Sequence, residues 1–520
     1  MYNLRLVVHS QRSAASYCAL GFVVCAQLFL LVSLQGWFVL DVGTTRVSAV
    51  ADDVYITANY ARTLAEGFGP FWYRGAPAVE GFSNPLWMLL IASFHRIPGF
   101  HEKDLGAYLL LLNCAIVVAL LVSAWRVVGR GAFETVLVAL NVSILIWMSE
   151  GFSVGLLALL ALAAFEFARS DEVGVGRSVA IGVMAALAFW TRMDAVIYFL
   201  AAGSLLATGP RPMRSLASAA AAAVPICATL FAWRLHFFGE WLPNTYYLKM
   251  TGWPLAERIA RGVDQNASLY VSGVLGGVVL LWLLQSKRVG KESRSIFAAF
   301  ATFWASVAYS TWIGGDSWGL KAGGDRFTAP GLLFLLLAMA LSIRSWRIEP
   351  RWRQVAPAIA LLVGLSPMLL STRTLPLLRE RVIERSAVNL VGAWIRQGVL
   401  FGEISKPGAR IALCAAGAIP YFSRRGGVDL LGKNDPYIAR LPVPADPPKP
   451  SLCWTRDRPG HNKLDASASF ALRRPDLSLY RPPVEVARDY HRVRFRGVYF
   501  WVRHDTPYVR AAAGLERSQE

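Results

Sequence analysis

Residues 17–40 read YCALGFVVCAQLFLLVSLQGWFVL and contain no charged side chain. A helix needs about 20 apolar residues to cross the hydrocarbon core of a bilayer, and this stretch exceeds that length. It also exceeds the apolar core of a signal peptide, which runs to about 15 residues at most. Arg5 and Arg12 precede it. The stretch therefore predicts an uncleaved membrane anchor with a cytoplasmic N-terminus.

The composition of the whole chain agrees with a membrane protein. Of its 520 residues, 55% are hydrophobic and only 17% are charged, and the mean hydropathy is +0.41. A protein with a fully solvated surface is less apolar than this. Including the anchor, the sequence predicts a polytopic α-helical protein with about eleven spans. The further apolar segments are 106–125, 132–148, 153–168, 178–190, 195–208, 216–236, 271–286, 296–313, 328–343 and 354–371.

The positions of the basic residues predict which loops lie on the cytoplasmic side of the membrane. A net charge of +19 would suit nucleic acid or anionic lipid as a partner. Lys and Arg collect in short cytoplasmic loops of membrane proteins, and here every second loop is basic. Much of the charge is therefore topological, which favours the bacterial cytoplasmic membrane and no nucleic-acid partner. The loop residues are Arg126, Arg130, Arg169, Arg177, Arg211, Arg214, Lys287, Arg288, Lys291, Arg294, Arg344, Arg347, Arg351 and Arg353.

This orientation places four segments on the outer side of the membrane. They are a long first loop at 41–105, two loops at 237–270 and 314–327, and the chain that follows the last span. Polar residues that act on an extracytoplasmic substrate are expected in these segments.

The C-terminal part differs in composition from the rest, with more charge and more proline. ARIALCAAGAIPYFSRRGGVDLLG at 409–432 is typical of a strand, a short helix and a second strand, and RVRFRGVYFWVRHD at 492–505 of a turn-linked strand pair. The sequence therefore predicts two domains. Residues 1–372 form a transmembrane module, and residues 373–520 form a small extracytoplasmic α/β domain.

Two adjacent carboxylates stand in the first outer loop, in ADDVYITANYARTLAEGFG at 51–69. A helix over 54–66 is expected there, and an aspartate just before it would cap the free N–H groups. That explains one carboxylate better than two. A pair of carboxylates also suits sugar transfer, because one of them can accept the proton of an attacking hydroxyl. Asp52 and Asp53 are thus candidates for either role.

The same loop continues as APAVEGFSNPLW at 76–87. Asn84 as N-cap and Pro85 at the first helical position are typical of a helix start. That start does not explain Glu80, an acid beside glycine and an aromatic residue, which would bind sugar hydroxyls.

Three other outer groups carry charge. In TRMD, Arg192 and Asp194 form either an ion pair or a ligand site at a turn between spans. In WLPNTYYLKM, Lys249 either extends its charge towards the interface or binds phosphate. GGDSWGLKAGGDRF at 314–327 is either a flexible connector or part of a lipid-phosphate site. Its charged residues are Asp316, Lys321, Asp325 and Arg326.

Sequence signatures of soluble cofactors do not accompany these groups. We find no nucleotide-binding glycine motif and no cluster with zinc-ligand spacing. A donor carried by a lipid fits the outer location better than a cytosolic nucleotide sugar. Of the six cysteines, Cys414 and Cys453 fall in the C-terminal domain, where a disulfide and free thiols both remain open.

The first loop resembles that of the GT-C membrane glycosyltransferases related to the mycobacterial terminal β-(1→2) arabinofuranosyltransferases. TRMD, PNTYYLK, GGD, GAIPYFS, VDLLGKND and GHNKLD are similar to later segments of that family, so the resemblance covers most of the chain. The matching loop residues are Asp52, Asp53, Tyr55, Ile56, Gly67, Gly69, Val79, Glu80, Gly81, Phe82, Ser83, Asn84, Leu86 and Trp87.

The resemblance implies a GT-C fold and transfer of a sugar, arabinofuranose by family, from a polyprenyl-phosphate donor. The acceptor would be a cell-envelope glycan, glycolipid or surface protein at the outer membrane face. Metal dependence varies across GT-C enzymes, and nothing in the sequence requires a metal or another cofactor. By carry-over, Asp52 is the general base and Asp53 orients the acceptor. Glu80 and Asn84 would line the sugar pocket, Lys249, Arg192 and Arg326 would hold the phosphate, and His461 and Lys463 would reach the site from the C-terminal domain. Tyr55, Asp194, Asn244, Tyr246 and Asp316 complete the substrate-binding candidates.

Two other classes of protein share some of these sequence features. A transporter or flippase would also place polar residues at helix ends, but repeat symmetry and ionisable residues within spans are expected of it. A non-catalytic envelope assembly protein would use the C-terminal domain for binding and would not need the first-loop pattern. The pattern therefore favours the enzyme.

Overall fold

The computed structural model describes residues 2–170, 172–285, 292–345, 355–372, 374–380, 390–444, 455, 458–510 and 515–517. Several predictions fall outside these residues, namely those for Lys287, Arg288, Lys291, Arg347, Arg351, Arg353 and Cys453. The chain divides into two compact units. Unit 1 comprises Met1–Trp37, Leu109–Leu230 and Ala256–Ala387, and unit 2 comprises Phe38–Tyr108, Phe231–Leu255 and Val388–Glu520.

The apolar segments of the sequence are largely helical in the described residues, with a break at Leu140 and Asn141. The helices are α1 (Tyr2–Gly36), α2 (Asp52–Ala65), α3 (Pro85–Phe94), α4 (Leu105–Val127), α5 (Ala132–Ala139), α6 (Val142–Ser149), α7 (Val154–Ala168), α8 (Val175–Thr191), α9 (Leu200–Ala207), α10 (Pro212–Phe238), α11 (Asn244–Met250), α12 (Leu255–Gln265), α13 (Ala267–Gln285), α14 (Ser293–Trp312), α15 (Ala329–Ser345), α16 (Val355–Leu370), α17 (Thr374–Leu378), α18 (Leu390–Ile404), α19 (Ala418–Ser423), α20 (Pro436–Arg440) and α21 (Ala466–Arg473). Short 3-10 helices lie at Glu102–Asp104, Met193–Phe199 and Ala487–Asp489.

Helix length limits how many spans the structure itself supports. Within the described residues, three helical stretches are long and apolar enough to cross a membrane: Ala14–Gly36, Glu102–Val127 and Pro212–Phe238. Two bent pairs, α5 with α6 and α12 with the first part of α13, raise the number to five if each pair is one span. The other apolar helices are shorter, so the count of about eleven spans stays a prediction.

Small residues let the helices of unit 1 approach closely. A Cβ added at Gly331 of α15 would lie 1.8 Å from the Ser306 hydroxyl of α14, so the glycine permits the contact. Phe303 and Leu335 are fully buried beside it. Small residues at helix contacts are typical of packing in membranes, where helices have no hydrophobic drive to associate in lipid.

Unit 2 contains the β structure of the described residues. A hairpin pairs β1 (Val39–Val42) with β2 (Thr45–Ser48). A six-stranded mixed sheet has the order β4-β3-β5-β7-β6-β8, with β3 parallel to both neighbours and the other pairs antiparallel. Its strands are β3 (Arg410–Leu413), β4 (Gly426–Asp429), β5 (Leu477–Ser478), β6 (Tyr490–Phe495), β7 (Val498–Arg503) and β8 (Glu516–Arg517).

The two C-terminal motifs form the elements that their patterns indicate. Residues 409–432 contain β3, α19 and β4, and residues 492–505 contain most of the β6–β7 hairpin. Cys414 follows β3 and is disulfide-bonded. The division by compactness places the first outer loop in the same unit as this sheet. The two-domain division at residue 372 stays a prediction, as does the extracytoplasmic side.

The first outer loop packs against the sheet through Trp72. Its indole Nε1 donates a hydrogen bond of 3.1 Å to the Ala416 carbonyl oxygen. A Cβ added at Gly427 of β4 would lie 2.2 Å from the Trp72 ring, so only glycine leaves room for the indole. The sheet core beneath includes Val428 and Phe470.

Gly427→Ala is therefore expected to lower the free energy of unfolding by about 1–3 kcal/mol, because the added methyl overpacks the contact with Trp72. Gly402→Ala in α18 is the matched control, since a Cβ there meets nothing closer than 3.4 Å. Denaturant unfolding of the purified protein would measure both variants. Equal stability of the two variants would contradict the packing argument.

Candidate active site

Helix α2 begins at Asp52, so both aspartates lie in its first turn. The N-cap residue is Ala51, and no side chain makes a capping hydrogen bond there. The capping interpretation is therefore wrong for this helix. Carboxylates in a first turn still interact favourably with the positive end of the helix dipole.

The Asp52 carboxylate binds a different helix of unit 2. It accepts hydrogen bonds from the backbone N–H groups of Ala418, at 2.7 Å, and Gly417, at 3.3 Å, where α19 begins. A Cβ added at Gly417 would lie 1.9 Å from the Asp52 carbonyl oxygen, so glycine is needed for this approach. Only 4% of Asp52 is exposed. Burial raises its pKa to about 6, against the lowering influence of Lys433.

The same face of α2 continues the contact with α19. Asn59 donates a hydrogen bond of 2.9 Å to the Gly417 carbonyl oxygen, and Arg62 donates one of 2.7 Å to the Tyr421 carbonyl oxygen. Tyr55 packs against the Tyr421 ring at a centroid distance of 5.0 Å and is fully buried. The spacing of these residues is that of one helix face. Tyr55, a predicted substrate-binding residue, thus lies in a packed contact.

Asp53 has a different environment. Its Oδ1 accepts a hydrogen bond of 2.9 Å from Lys433 Nζ, and its side chain is 19% exposed. The backbone of the turn after β4 presents Lys433, because the Asp429 carboxylate accepts from the N–H groups of Gly432 and Asn434. The ionic neighbours raise the pKa of Lys433 despite its burial. Asp53 is therefore the more accessible member of the pair and faces a cation.

Asn434 joins this turn to the VEGFSN segment. Its Oδ1 lies 2.9 Å from the Tyr60 hydroxyl, which also accepts from the Gly81 N–H at 3.1 Å. A Cβ added at Gly81 would lie 1.9 Å from Asn434 Oδ1. The glycine of the VEGFSN segment thus makes room for the asparagine of the VDLLGKND segment.

Asn244, the first residue of α11, also forms hydrogen bonds with the turn after β4. Its amide nitrogen Nδ2 donates to the carbonyl oxygens of Gly432, at 2.9 Å, and Lys433, at 3.0 Å. Its backbone N–H donates to the Glu80 carbonyl oxygen at 3.0 Å. The predicted ligand Asn244 is therefore a link that fixes the backbone carrying Lys433. Tyr246, two residues on, is exposed.

The Glu80 carboxylate forms an ion pair with an arginine that the sequence analysis did not select. Arg234 Nε and a terminal nitrogen bind the two Glu80 carboxylate oxygens at 2.8 and 3.1 Å, and both side chains are buried. Burial raises the pKa of Glu80 to about 7, while the guanidinium opposes that shift. Asn84 takes the predicted N-cap position without a capping bond, and its Oδ1 accepts from the Thr57 hydroxyl at 3.0 Å. In this structure the two predicted sugar-pocket residues bind protein groups.

His461 lies in a basic environment in unit 2. Burial is the main cause that lowers its pKa to about 3, and the charges of Lys433, Arg458 and Lys249 add to that lowering. A Cβ added at Gly460 would lie 3.5 Å from Lys249 Cε, so Lys249 borders the His461 segment. The Asp53 carboxylate acts in the opposite direction and raises the pKa of His461. We name Lys249, Lys433 and Arg458, whose charges act on the uncharged His461, the cation cluster.

Lys463 lies in a different environment from the cation cluster. It is fully buried and donates to the carbonyl oxygens of Ala439, at 2.6 Å, and Tyr247, at 3.1 Å. Burial lowers its pKa to about 8. The ammonium ties α20 to α11 and has a structural role in this arrangement.

The remaining candidates belong to unit 1. Arg192 and Asp194 form a two-pronged ion pair with both distances at 2.9 Å, which confirms the ion-pair interpretation of TRMD. Arg326 binds the two Asp316 oxygens at 2.5 and 2.7 Å. Both arginines are therefore compensated by carboxylates within their own unit.

Sequence reasoning missed Lys433, Asp429 and Arg234. The first two stand in VDLLGKND, a segment that the resemblance already marked. Arg234 offered a weaker signal, a charged residue near the end of an apolar helix, where such residues are rare and usually paired. Among the described residues, no group of three or more metal-ligating side chains is found.

Comparison with solved structures identifies the architecture. The apo structure of ArnT from Cupriavidus metallidurans matches with a TM-score of 0.50 at 12% identity, over 80% of this chain and 87% of ArnT. The Archaeoglobus fulgidus oligosaccharyltransferase, tethered to an acceptor peptide with the NVT sequon, matches with a TM-score of 0.50 at 12% identity, over 97% of this chain and 74% of that one. Both are GT-C glycosyltransferases. The chain has the GT-C fold.

Other comparisons add less. The structure of the same ArnT bound to undecaprenyl phosphate matches with a TM-score of 0.48 at 12% identity, over 78% of this chain and 84% of that one. A family model described as a domain of unknown function (DUF8728) matches residues 380–510. No curated protein matches the sequence. The GT-C fold is thus shown, and the arabinofuranosyltransferase family stays a resemblance.

The buried Asp52 is expected to make stability depend on pH. Its folded pKa of about 6 exceeds its usual 3.8, so the folded protein retains a proton that the unfolded chain releases. Below pH 3.8, protonated Asp52 makes its full contribution to the unfolding free energy, about 3 kcal/mol. That contribution is lost as the pH rises through 6.

Thermal or denaturant unfolding between pH 4 and pH 7 would measure this loss as the difference between the native protein and Asp52→Asn. Asp41→Asn, at an exposed carboxylate of the β1–β2 hairpin, is the control and should follow the native curve. Parallel curves for the native protein and Asp52→Asn would show that Asp52 retains an ordinary pKa.

Proposed function

We propose that this protein is a membrane glycosyltransferase. It transfers a sugar from a polyprenyl-phosphate donor to a hydroxyl group of a cell-envelope acceptor, at the outer face of the cytoplasmic membrane. The observation that carries the proposal is the Asp53 carboxylate beside the cation cluster, in a chain with the GT-C fold. The first-loop resemblance supports the same reaction class.

Asp53 is assigned as the base that receives the proton of the acceptor hydroxyl. A general base must come within hydrogen-bond reach of that proton. The side chain of Asp53 is 19% exposed, whereas Asp52 is almost wholly buried with its carboxylate turned to two backbone N–H groups. This assignment reverses the roles that the resemblance suggested for the pair. Asp52 becomes a positioning residue that fixes the first turn of α2.

The cation cluster is assigned to the donor phosphate. Transfer forms a bond between the acceptor oxygen and the anomeric carbon and breaks the bond from that carbon to the phosphate oxygen. The phosphate leaves with the electron pair, so cations near it lower the barrier. Lys249 and Lys433 supply charge and His461 supplies a ring N–H. Arg192 and Arg326 fit this role less well, since each binds both oxygens of a carboxylate, whereas Lys433 contacts Asp53 through Oδ1.

The identity of the sugar and the acceptor follows from the resemblance alone. Arabinofuranose is the proposed sugar, and the acceptor class is a glycan, a glycolipid or a surface protein. In the proposed displacement, the ammonium groups of Lys249 and Lys433 would balance charge on the leaving phosphate.

Asp53→Asn is expected to lower kcat by about 100-fold or more while the KM for donor changes little, because the amide cannot accept the proton. Asp52→Asn should cost less activity at neutral pH, since an amide oxygen can still accept the Ala418 N–H. Turnover of purified protein in liposomes with a polyprenyl-phosphate sugar would measure both variants. Asp41→Asn is the matched first-loop control.

The reverse order of effects would return the base role to Asp52. Mass spectrometry of lipid that co-purifies with Asp53→Asn would identify the donor. If no polyprenyl-phosphate sugar were recovered and none were turned over, the proposed function itself would fail.

Lys249→Met is expected to raise the KM for donor by about tenfold, because an interaction with the phosphate charge is lost. Inhibition by undecaprenyl phosphate should weaken to the same degree. Lys103→Met, at an exposed lysine of the first loop, is the control and should leave both quantities unchanged.

Arg192→Gln and Arg326→Gln separate this assignment from the earlier one. Each should lower thermal stability, because it leaves a buried carboxylate without its cation. A higher donor KM for Arg192→Gln at unchanged stability, together with a normal KM for Lys249→Met, would place the phosphate in unit 1 instead.

A further inference from the structure

Helix α12 has three distinct faces. Leu255, Ile259 and Val263 lie four residues apart and form one stripe on its surface. Glu257 and Asp264 border that stripe on one edge, and both are exposed. The remaining face carries the arginines, so the apolar stripe and the basic face lie on different sides of one helix.

The basic face packs inward against unit 1. Arg261 donates to the Gly314 carbonyl oxygen and, at 3.0 Å, to the Asp316 carbonyl oxygen. Arg258 is buried, with its guanidinium 5.5 Å from the Trp312 ring centroid. A Cβ added at Gly262 would lie 2.2 Å from the Thr311 carbonyl oxygen. The arginine face of α12 is thus the side that contacts protein.

The apolar stripe faces outward. Leu255, Ile259 and Val263 are 52%, 38% and 46% exposed, respectively. Ala256 and Ala260 beside them are exposed as well. At 100° per residue the exposed apolar sector covers about 140° of the helix surface, which matches the stripe of about 100° or more that an amphipathic helix buries. Outward apolar residues and inward arginines are the reverse of the arrangement on a water-soluble surface.

The next helix indicates what covers this sector. α12 and the first part of α13, through Trp282, together pass as one apolar stretch bent by 63°. α13 continues the exposed apolar surface at Val271, Val274 and Val278. A helix bent by 63° from a membrane-spanning helix runs closer to the membrane plane than to its normal. The two consecutive helices both expose apolar side chains.

We propose that α12 lies in the outer membrane interface, with Leu255, Ile259 and Val263 inserted at the boundary between lipid headgroups and acyl chains. Helices of this kind bury their apolar face about 5–10 Å into that boundary. Glu257 and Asp264 remain at the aqueous edge. Because Arg261 binds the backbone at Gly314 and Asp316, the inserted helix also fixes the depth of the 314–327 loop. The proposal does not depend on the glycosyltransferase assignment.

The test places an environment-sensitive fluorophore at single cysteines. Cys18, Cys25, Cys114 and Cys227 are replaced, and the Cys414 disulfide is kept. Ile259→Cys and Val263→Cys report on the stripe, and Glu257→Cys and Asp264→Cys report on its edge. Val484→Cys, at an apolar residue 90% exposed in unit 2, is the aqueous control. Labelled full-length protein is reconstituted in phosphatidylethanolamine and phosphatidylglycerol vesicles.

Nitroxide-labelled lipid should quench the two stripe positions about threefold more than the edge and control positions, as expected for interfacial insertion. Iodide in the buffer should show the opposite order. Iodide quenching at 259 and 263 equal to that at 484 would show a hydrated face and overturn the proposal. Protection from both quenchers would show a protein partner or a second copy on the face and would overturn it equally.

Discussion

The hydrogen bonds from Gly417 and Ala418 to Asp52 are the constraint on which the candidate site depends. They join residues about 365 positions apart in the sequence. A buried carboxylate is costly unless it is hydrogen-bonded, so the two N–H groups and the buried charge require each other. The close approach at Gly417 leaves α2 little freedom to move relative to α19. With α2 fixed in this way, Asp53 can meet the turn that carries Lys433.

One consequence is that neighbouring aspartates have different chemistry. Asp52 is buried against backbone N–H groups, and its pKa is raised to about 6. Asp53 is partly exposed and forms an ion pair with Lys433. Two carboxylates in unlike environments are suited to different tasks, one positional and one reactive. Helix geometry produces this division, because successive side chains on α2 point about 100° apart.

The sequence predicted what depends on local composition, and it missed what depends on distant pairing. Apolar runs predicted the helices, and alternation predicted the β6–β7 hairpin, because both patterns are local. The Arg192–Asp194 pair was also foreseeable, at a separation of two residues. Glu80 with Arg234 and Asp53 with Lys433 lie 154 and 380 residues apart. A single sequence gives no information about such partners, so Glu80 was interpreted as a sugar ligand although an arginine occupies it.

The charges of the two units argue for one location of an anionic ligand over the other. In unit 1, Arg192 and Arg326 each face a carboxylate in two-pronged geometry, and separating such a buried pair leaves an uncompensated charge at a cost of about 3–5 kcal/mol. In unit 2, three cations surround His461, and Asp53 is the carboxylate that opposes them there. A phosphate near His461 would meet the charges of Lys433, Arg458 and Lys249 and would share Lys433 with Asp53. In unit 1 it would have to displace a carboxylate that an arginine holds through both oxygens. The electrostatic balance therefore favours the anion beside Asp53, where a leaving phosphate is needed.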